Sequence, residues 1–202
     1  VGYGPKPQGA TSHLQVPDEL QTLPQTPGGV IKLALRRLRS SETAAPAVQW
    51  MIDALRDETR FDLIVANDAR VLGGAFAVAD GAPVWADMHE WAPEERTHVL
   101  AWRLLVAPLM DHLCRVYLPR ATAVTTVGAK ISELYSQRYG VTPSVVRNAG
   151  RFVDLEPSAV TEGQVRLVHS GAAVPGRNIE GMIDVVRDLD ERFSLDLFLV
   201  SS

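Results

Sequence analysis

Short apolar runs that end in polar residues, each followed by a stretch of helical period, recur along this chain and restrict it to a sheet of parallel strands with helices on both faces. Asp62-Leu63-Ile64-Val65-Ala66 runs into Asn67-Asp68, and a helix through Val71, Leu72, Ala75, Phe76 and Ala79 follows, stopped by Gly81. Ala82-Pro83-Val84-Trp85-Ala86 reads as the next strand and is followed by Asp87-Met88-His89-Glu90. A long helical stretch over 94–118 is expected to bend or break at Pro108, which has no N–H to give. The β-branched run 122–127 reads as a strand. Helix 129–139 ends at Gly140, a good C-cap residue. Val145-Val146 then leads into Arg147-Asn148-Ala149-Gly150.

Upstream, residues 1–30 hold five of the thirteen prolines and five of the fifteen glycines, which marks loop rather than core. Ile31, Leu35 and Leu38 predict a short helix within 31–39. Ala47, Trp50, Met51, Ala54 and Leu55 predict another with one buried face. Downstream, 151–163 has no clear period and interrupts the rhythm, which then restarts. Val165-Arg166-Leu167-Val168-His169 predicts a strand and Ser170-Gly171 a tight turn. A helix from near Asn178 has Ile179, Met182, Ile183, Val186 and Leu189 on one face, and 195–200 predicts a closing strand. That is one βαβ unit, the opening of a second nucleotide-binding-type domain. The expected organisation is a first domain over 1–152, a linker over 153–163 and a second domain over 164–202. The chain starts without methionine and stops on a strand, so a fragment is expected.

The formal net charge of -4 carries no polyanion signature, and nucleic acid is not an expected partner. One basic cluster, Arg36-Arg37-Leu38-Arg39, reads as a solvated helix end. Its sharper reading is a contact for anionic lipid head groups, which would place the protein at the inner face of a membrane. The single cysteine, Cys114, permits no internal disulfide and fits a reducing compartment. With no membrane-length apolar run and no leader, cytoplasmic residence is the default.

In open α/β sheets ligands bind beyond the carboxyl ends of the strands, which is where His89, Asp87, Glu90, Asn67 and Asp68 fall. His89 reads as a group that meets a substrate hydroxyl, with Asp87 and Glu90 orienting it or tying down the loop. A zinc site from Asp87, His89 and Glu90 would be poorly spaced. Asn67 and Asp68 are turn formers or cleft residues. His13, His98 and His112 read as structural, and His169 is open between the two. The segment 170–178, between strand and helix, offers glycines for close backbone approach, a helix N-terminus and the fixed fork of Arg177, which together suit a diphosphate. Its spacing matches neither a dinucleotide fingerprint nor a P-loop. There is no G-x-S-x-G elbow.

These segments, in this order over roughly 61–200, resemble retaining glycosyltransferases of family 4 and their GT-B architecture of two Rossmann-like domains. The resemblance implies a nucleotide diphosphate sugar donor bound mainly by the second domain. It implies an acceptor (glycan, lipid-linked or small molecule) on the first, with no metal and no cofactor. His89 matches the histidine near the donor sugar, and Asp87, Glu90, Asn67, Asp68 and Asn148 are expected around it. Ser170 and Gly171 match the turn that approaches the diphosphate, and Arg177 matches a later lysine-like position. Ala172 and Ala173 stand where family members carry an arginine. The family's Gly-rich loop would precede residue 1 and its Glu-rich motif would follow residue 202, which implies an inactive piece of a larger enzyme. Two other readings remain at this stage: a sugar-nucleotide-binding protein without transfer chemistry, and an epimerase of the same architecture.

Overall fold

The structure, a computed structural model, describes residues 1–56, 60–159, 161–173 and 177–200. It divides into two compact units, Val1–Ala149 and Gly150–Ser202. The first unit is built on a wholly parallel sheet in the order β1 (Ile64–Asn67), β2 (Val84–Met88), β3 (Ala123–Thr126) and β4 (Ser144–Val145). The chain is therefore α/β with parallel strands. Pro83 cannot donate to the ladder, and strand pairing begins at its carbonyl, which accepts from Ile64 N at 3.0 Å.

β2 runs two residues further than its apolar letters indicate. Asp87 and Met88, expected after the strand, are inside it and pair with Thr125 and Thr126. The reason is the period of two: Val84, Ala86 and Met88 are all buried on one face, and Met88 is needed to complete that face.

The buried core lies on that same face. It joins Ala66, Val84, Ala86, Met88 and Val124 to side chains from α3 (Leu72–Val78), α4 (Ala107–Tyr117) and α5 (Ala129–Tyr139). The expectation of helices on both faces is not met within this unit. Strands added in sequential order, each through a right-handed crossover, bring successive helices to the same side. Earlier in the chain, α1 (Pro27–Ala34) starts before the expected helix because Thr26 caps it and Pro27 opens it. Its buried positions are Gly29 and Leu33, while Ile31 and Leu35 are exposed. α2 (Pro46–Leu55) packs closely on α3: a Cβ at Gly74 would lie 2.7 Å from Val48 Cγ1.

Pro108 does not break its helix. The strain is taken up one turn earlier, where Trp102–Val106 forms a π turn and Ala107 N reaches back to Trp102 O. Pro108 leaves the Leu104 carbonyl without its helical donor. The Arg36 guanidinium supplies one at 2.7 Å. One member of the basic cluster is thus engaged by a hydrogen bond, although Arg36 is exposed like Arg37 and Arg39. α5 ends as expected, with Gly140 in the left-handed conformation at φ 69. Among the described residues no helix is long and apolar enough to cross a membrane.

The second unit is a parallel βαβ: β5 (Val165–Ala172), α6 (Ile179–Arg187) and β6 (Phe193–Val200). Ser170 and Gly171 are not a turn but the last part of β5. They pair with Phe198 and Leu199 because the ladder continues to Ala172 opposite Val200.

α4 and α5 are tied by one carboxylate. Asp111 accepts from Arg138 Nε at 2.6 Å, Tyr139 Oη at 2.8 Å and Arg115 Nη2 at 3.1 Å. Burial pushes this carboxyl up, but the three donors outweigh burial and hold it below the usual aspartate value. The sign follows from the lowered folded value. The stabilisation is present above the unfolded aspartate value of about 3.9 and is lost as pH falls through the lower folded one. Asp111→Asn should cost about 1.5–3 kcal/mol at neutral pH, the range of a hydrogen bond to a charged group. It should also weaken the pH dependence of stability on the acid side. Circular dichroism melts from neutral to acid pH check both, and unchanged melts would remove Asp111 from the tie.

Candidate functional site

Parallel register aligns residues across neighbouring strands, and here it lines up Asn67, Asp87 and Thr125. They lie on the face opposite the core, one pair in from the carboxyl ends of the strands or at them. The preceding residues of that face are Val65, Trp85 and Ala123. Asp87 is the centre of the row. Its Oδ1 accepts from Thr125 Oγ1 at 2.5 Å, and its Oδ2 lies 3.1 Å from His89 Nε2. Thr125 Oγ1 in turn accepts from the Trp85 indole N–H at 2.8 Å. Thr125 is buried, whereas half of the His89 side chain faces solvent. The ring that a ligand can reach is therefore held from beneath.

The loop that carries His89 is fixed by α5. Tyr135, fully buried, donates its hydroxyl to Glu90 O at 2.7 Å and receives Ala92 N at 3.2 Å. Burial drives the Tyr135 phenol far above its ordinary value, so it stays protonated and keeps this donor role. The Trp91 ring packs edge-on to Tyr135 with centroids 4.9 Å apart. Glu90 contributes through its backbone carbonyl, and its side chain is exposed. Of the two acids flanking His89, only Asp87 bonds to it among the described residues.

Asp68 has a different environment. Its backbone sits at φ 83, ψ 154, a conformation that glycine alone takes easily. The strand end holds it there: Asp68 N donates to Asp87 O at 2.9 Å, and the carboxyl accepts from Ala69 N. Burial raises the Asp68 pKa above the usual carboxylate value, against the pull of nearby Arg70. Arg70 forms a two-pronged pair with Glu95, both at 2.5 Å, and its guanidinium lies over the Trp102 ring, 5.5 Å from the centroid. Its Nε is buried and has no partner among the described residues. Asn67, Asp68 and Arg70 line a cavity of about 310 Å³ with Tyr3, Met51 and Val71. Strain, a raised acid and a cavity coincide at Asp68.

Asn148 stands apart. It lies exposed beyond β4, without a hydrogen bond to any described residue. In the second unit, a carbon added at the Cβ position of Gly171 would sit 3.6 Å from His169 Nε2 and 3.7 Å from Arg177 Nη1. Two side-chain nitrogens thus lie over the bare face of Gly171. Of the expected diphosphate turn, Val174, Pro175 and Gly176 lie outside the described residues. Asn178 begins α6 in the left-handed conformation, φ 51. Among the described residues no group of three His, Cys, Asp or Glu side chains is arranged to hold a metal ion.

Trp85, Thr125, Tyr135 and Arg70 were not singled out from sequence. Trp85 carried a usable signal, since it stands two positions before Asp87 and so shares its face. Thr125 did not, because its place beside Asp87 is set by cross-strand register.

The strain at Asp68 is testable without a ligand. Asp68→Gly and Asp68→Ala both remove the carboxylate and differ in backbone freedom. The glycine variant should melt higher, with an advantage of about 1 kcal/mol or more. Equal melting temperatures would show that the backbone there is relaxed.

In comparison with known families, the model of Glycosyltransferase Family 4 matches residues 8–157. The match spans about three quarters of the 202 residues, covers β1 to β4 and stops before β5. Comparisons with curated proteins and with solved structures return no match.

Proposed function

Since the chain belongs to Glycosyltransferase Family 4, we propose that it transfers a sugar from a nucleotide diphosphate donor to an acceptor hydroxyl with retention of anomeric configuration. We assign residues 1–152 to an acceptor-side domain, 153–163 to a linker and 164–202 to the donor side, in the manner of a GT-B enzyme of the hexosyltransferase kind. The observation that carries the reading is the Asp87–His89 pair at the end of β2. It offers a solvent-facing imidazole backed by a carboxylate at the position where an α/β sheet binds its ligand.

In the proposed reaction the bond from the anomeric carbon to the diphosphate oxygen breaks, and its electron pair leaves with the diphosphate. The acceptor oxygen forms the new bond on the same face, and its proton passes to the departing diphosphate. Charge then develops at two places. Arg177 supplies positive charge and donors suited to the diphosphate, and Gly171, which carries no side chain, leaves room for it to approach. His89 holds the sugar, and Asp87 behind it lends negative potential to the positive charge growing on the ring carbon. Asn67 and Asp68 face the cavity beside β1 and are assigned to the acceptor side. The chemistry needs no metal and no cofactor. We assign the protein to the cytoplasm, with Arg37 and Arg39 available to an anionic membrane face.

Turnover of the full-length protein with a panel of nucleotide sugars, followed by release of nucleoside diphosphate, tests this directly. His89→Ala should lower turnover by at least about tenfold, equivalent to about 1.4 kcal/mol of transition-state stabilisation. Near-normal turnover would sink the assignment. The product should retain the donor's anomeric configuration by NMR, and an inverted product would refute that part. Arg177→Ala should weaken nucleotide binding, and an unchanged affinity would remove Arg177 from the site.

A further inference from the structure

We infer that Trp85 and Thr125 are positioning residues that fix the Asp87 carboxylate, which in turn sets the tautomer of His89. The chain Trp85–Thr125–Asp87–His89 can carry hydrogen bonds in one direction only. An indole N–H donates and cannot accept. Thr125 Oγ1 must therefore accept from Trp85, at 2.8 Å, and its own hydroxyl proton is turned toward Asp87 Oδ1. That fixes the carboxylate, with Oδ1 engaged and Oδ2 presented to His89 Nε2 at 3.1 Å. A carboxylate oxygen accepts, so the neutral ring keeps its proton on Nε2. Nδ1 is then the ring acceptor left for a ligand, and becomes a donor only when the ring is protonated. The three groups stand on adjacent strands and are aligned by register, Thr125 is buried, and Trp85 lies on the same face of β2 as Asp87.

The tautomer is a property of the ligand-free protein. Its bearing on turnover rests on the proposed transferase reading. If that reading holds, Nδ1 meets the sugar as an acceptor of a hydroxyl proton. A ring turned to the other tautomer would present a donor there instead.

Replacing Asp87 tests the direction of the chain. In Asp87→Asn, Thr125 still donates, so the amide oxygen must face Thr125 and the amide NH₂ must face His89 Nε2. Nε2 becomes the acceptor, and the proton moves to Nδ1. An orienting carboxylate replaced by its amide is known to impose the wrong tautomer on a catalytic histidine. In the double variant Asp87→Asn with Thr125→Val, nothing fixes the amide, and both tautomers should be populated. Thr125→Ser in place of Thr125→Val keeps the hydroxyl and should restore the single Nδ1–H form.

Nitrogen NMR of histidine-labelled protein, above the pH at which the ring protonates, reads the tautomer. The parent should show a protonated Nε2 and a bare Nδ1, and Asp87→Asn the reverse. A parent with its proton on Nδ1, an Asp87→Asn variant that keeps Nε2–H, or a double variant identical to Asp87→Asn would each overturn the inference. Melting curves on the same samples confirm that the variants fold, and the serine variant preserves the test if valine does not. In the kinetic arm, Thr125→Val should lower turnover about threefold to tenfold, less than His89→Ala, with serine restoring it. A normal tautomer pattern with turnover insensitive to His89→Ala would refute the transferase role of His89 and leave the relay standing.

Discussion

Parallel register between β1, β2 and β3 is the constraint on which the site depends. Because paired residues of parallel strands point to the same side, Asn67, Asp87 and Thr125 form one row, and every second residue back from them forms another. A slip of one residue in β2 would send Asp87 into the core and Met88 to the surface. The core forbids it: Val84, Ala86 and Met88 are buried against α3, α4 and α5, and moving a carboxylate into their place would cost far more than the site returns. The position of His89 is thus fixed by apolar packing on the opposite face of the sheet.

The helices supply the second half of that rigidity. Tyr135 reaches from α5 to the backbone on both sides of Trp91, and Asp111 ties α5 to α4. Arg36 satisfies the carbonyl that Pro108 leaves open, which lets α4 continue unbroken to Tyr117. Asp68 is a non-glycine residue held at positive φ beside a cavity. The carboxyl edge of the sheet thus carries one strained acid and one half-exposed histidine.

The alternation of apolar runs and helical stretches was enough to read the parallel sheet, the βαβ unit and the end of α5 at Gly140, because each rests on local sequence. The end of β2 was not legible, since Asp87 looks like a loop residue until Met88 is seen to complete the buried face. Ser170-Gly171 looks like a turn until β6 is seen to continue opposite it. Helices on both faces failed as an expectation because strand order, which sets the side a crossover takes, leaves no local trace. At the site, His89 and Asp87 could be found from their place after an apolar run. Thr125 and Tyr135 could not, for their roles come from strand and helix packing over 38 and 45 residues of separation.

The central claim is that the donor is a nucleotide diphosphate sugar, and the melting temperature of the full-length protein in the presence of such sugars tests it most directly. A ligand that binds only the folded state stabilises it by about 2.7 kcal/mol at a hundredfold excess over its dissociation constant. For a chain of this size that is a rise of several degrees. The account expects that rise with at least one nucleotide diphosphate sugar and a smaller one with the matching monophosphate. A melting temperature that stays flat across the whole panel at millimolar concentrations would contradict it.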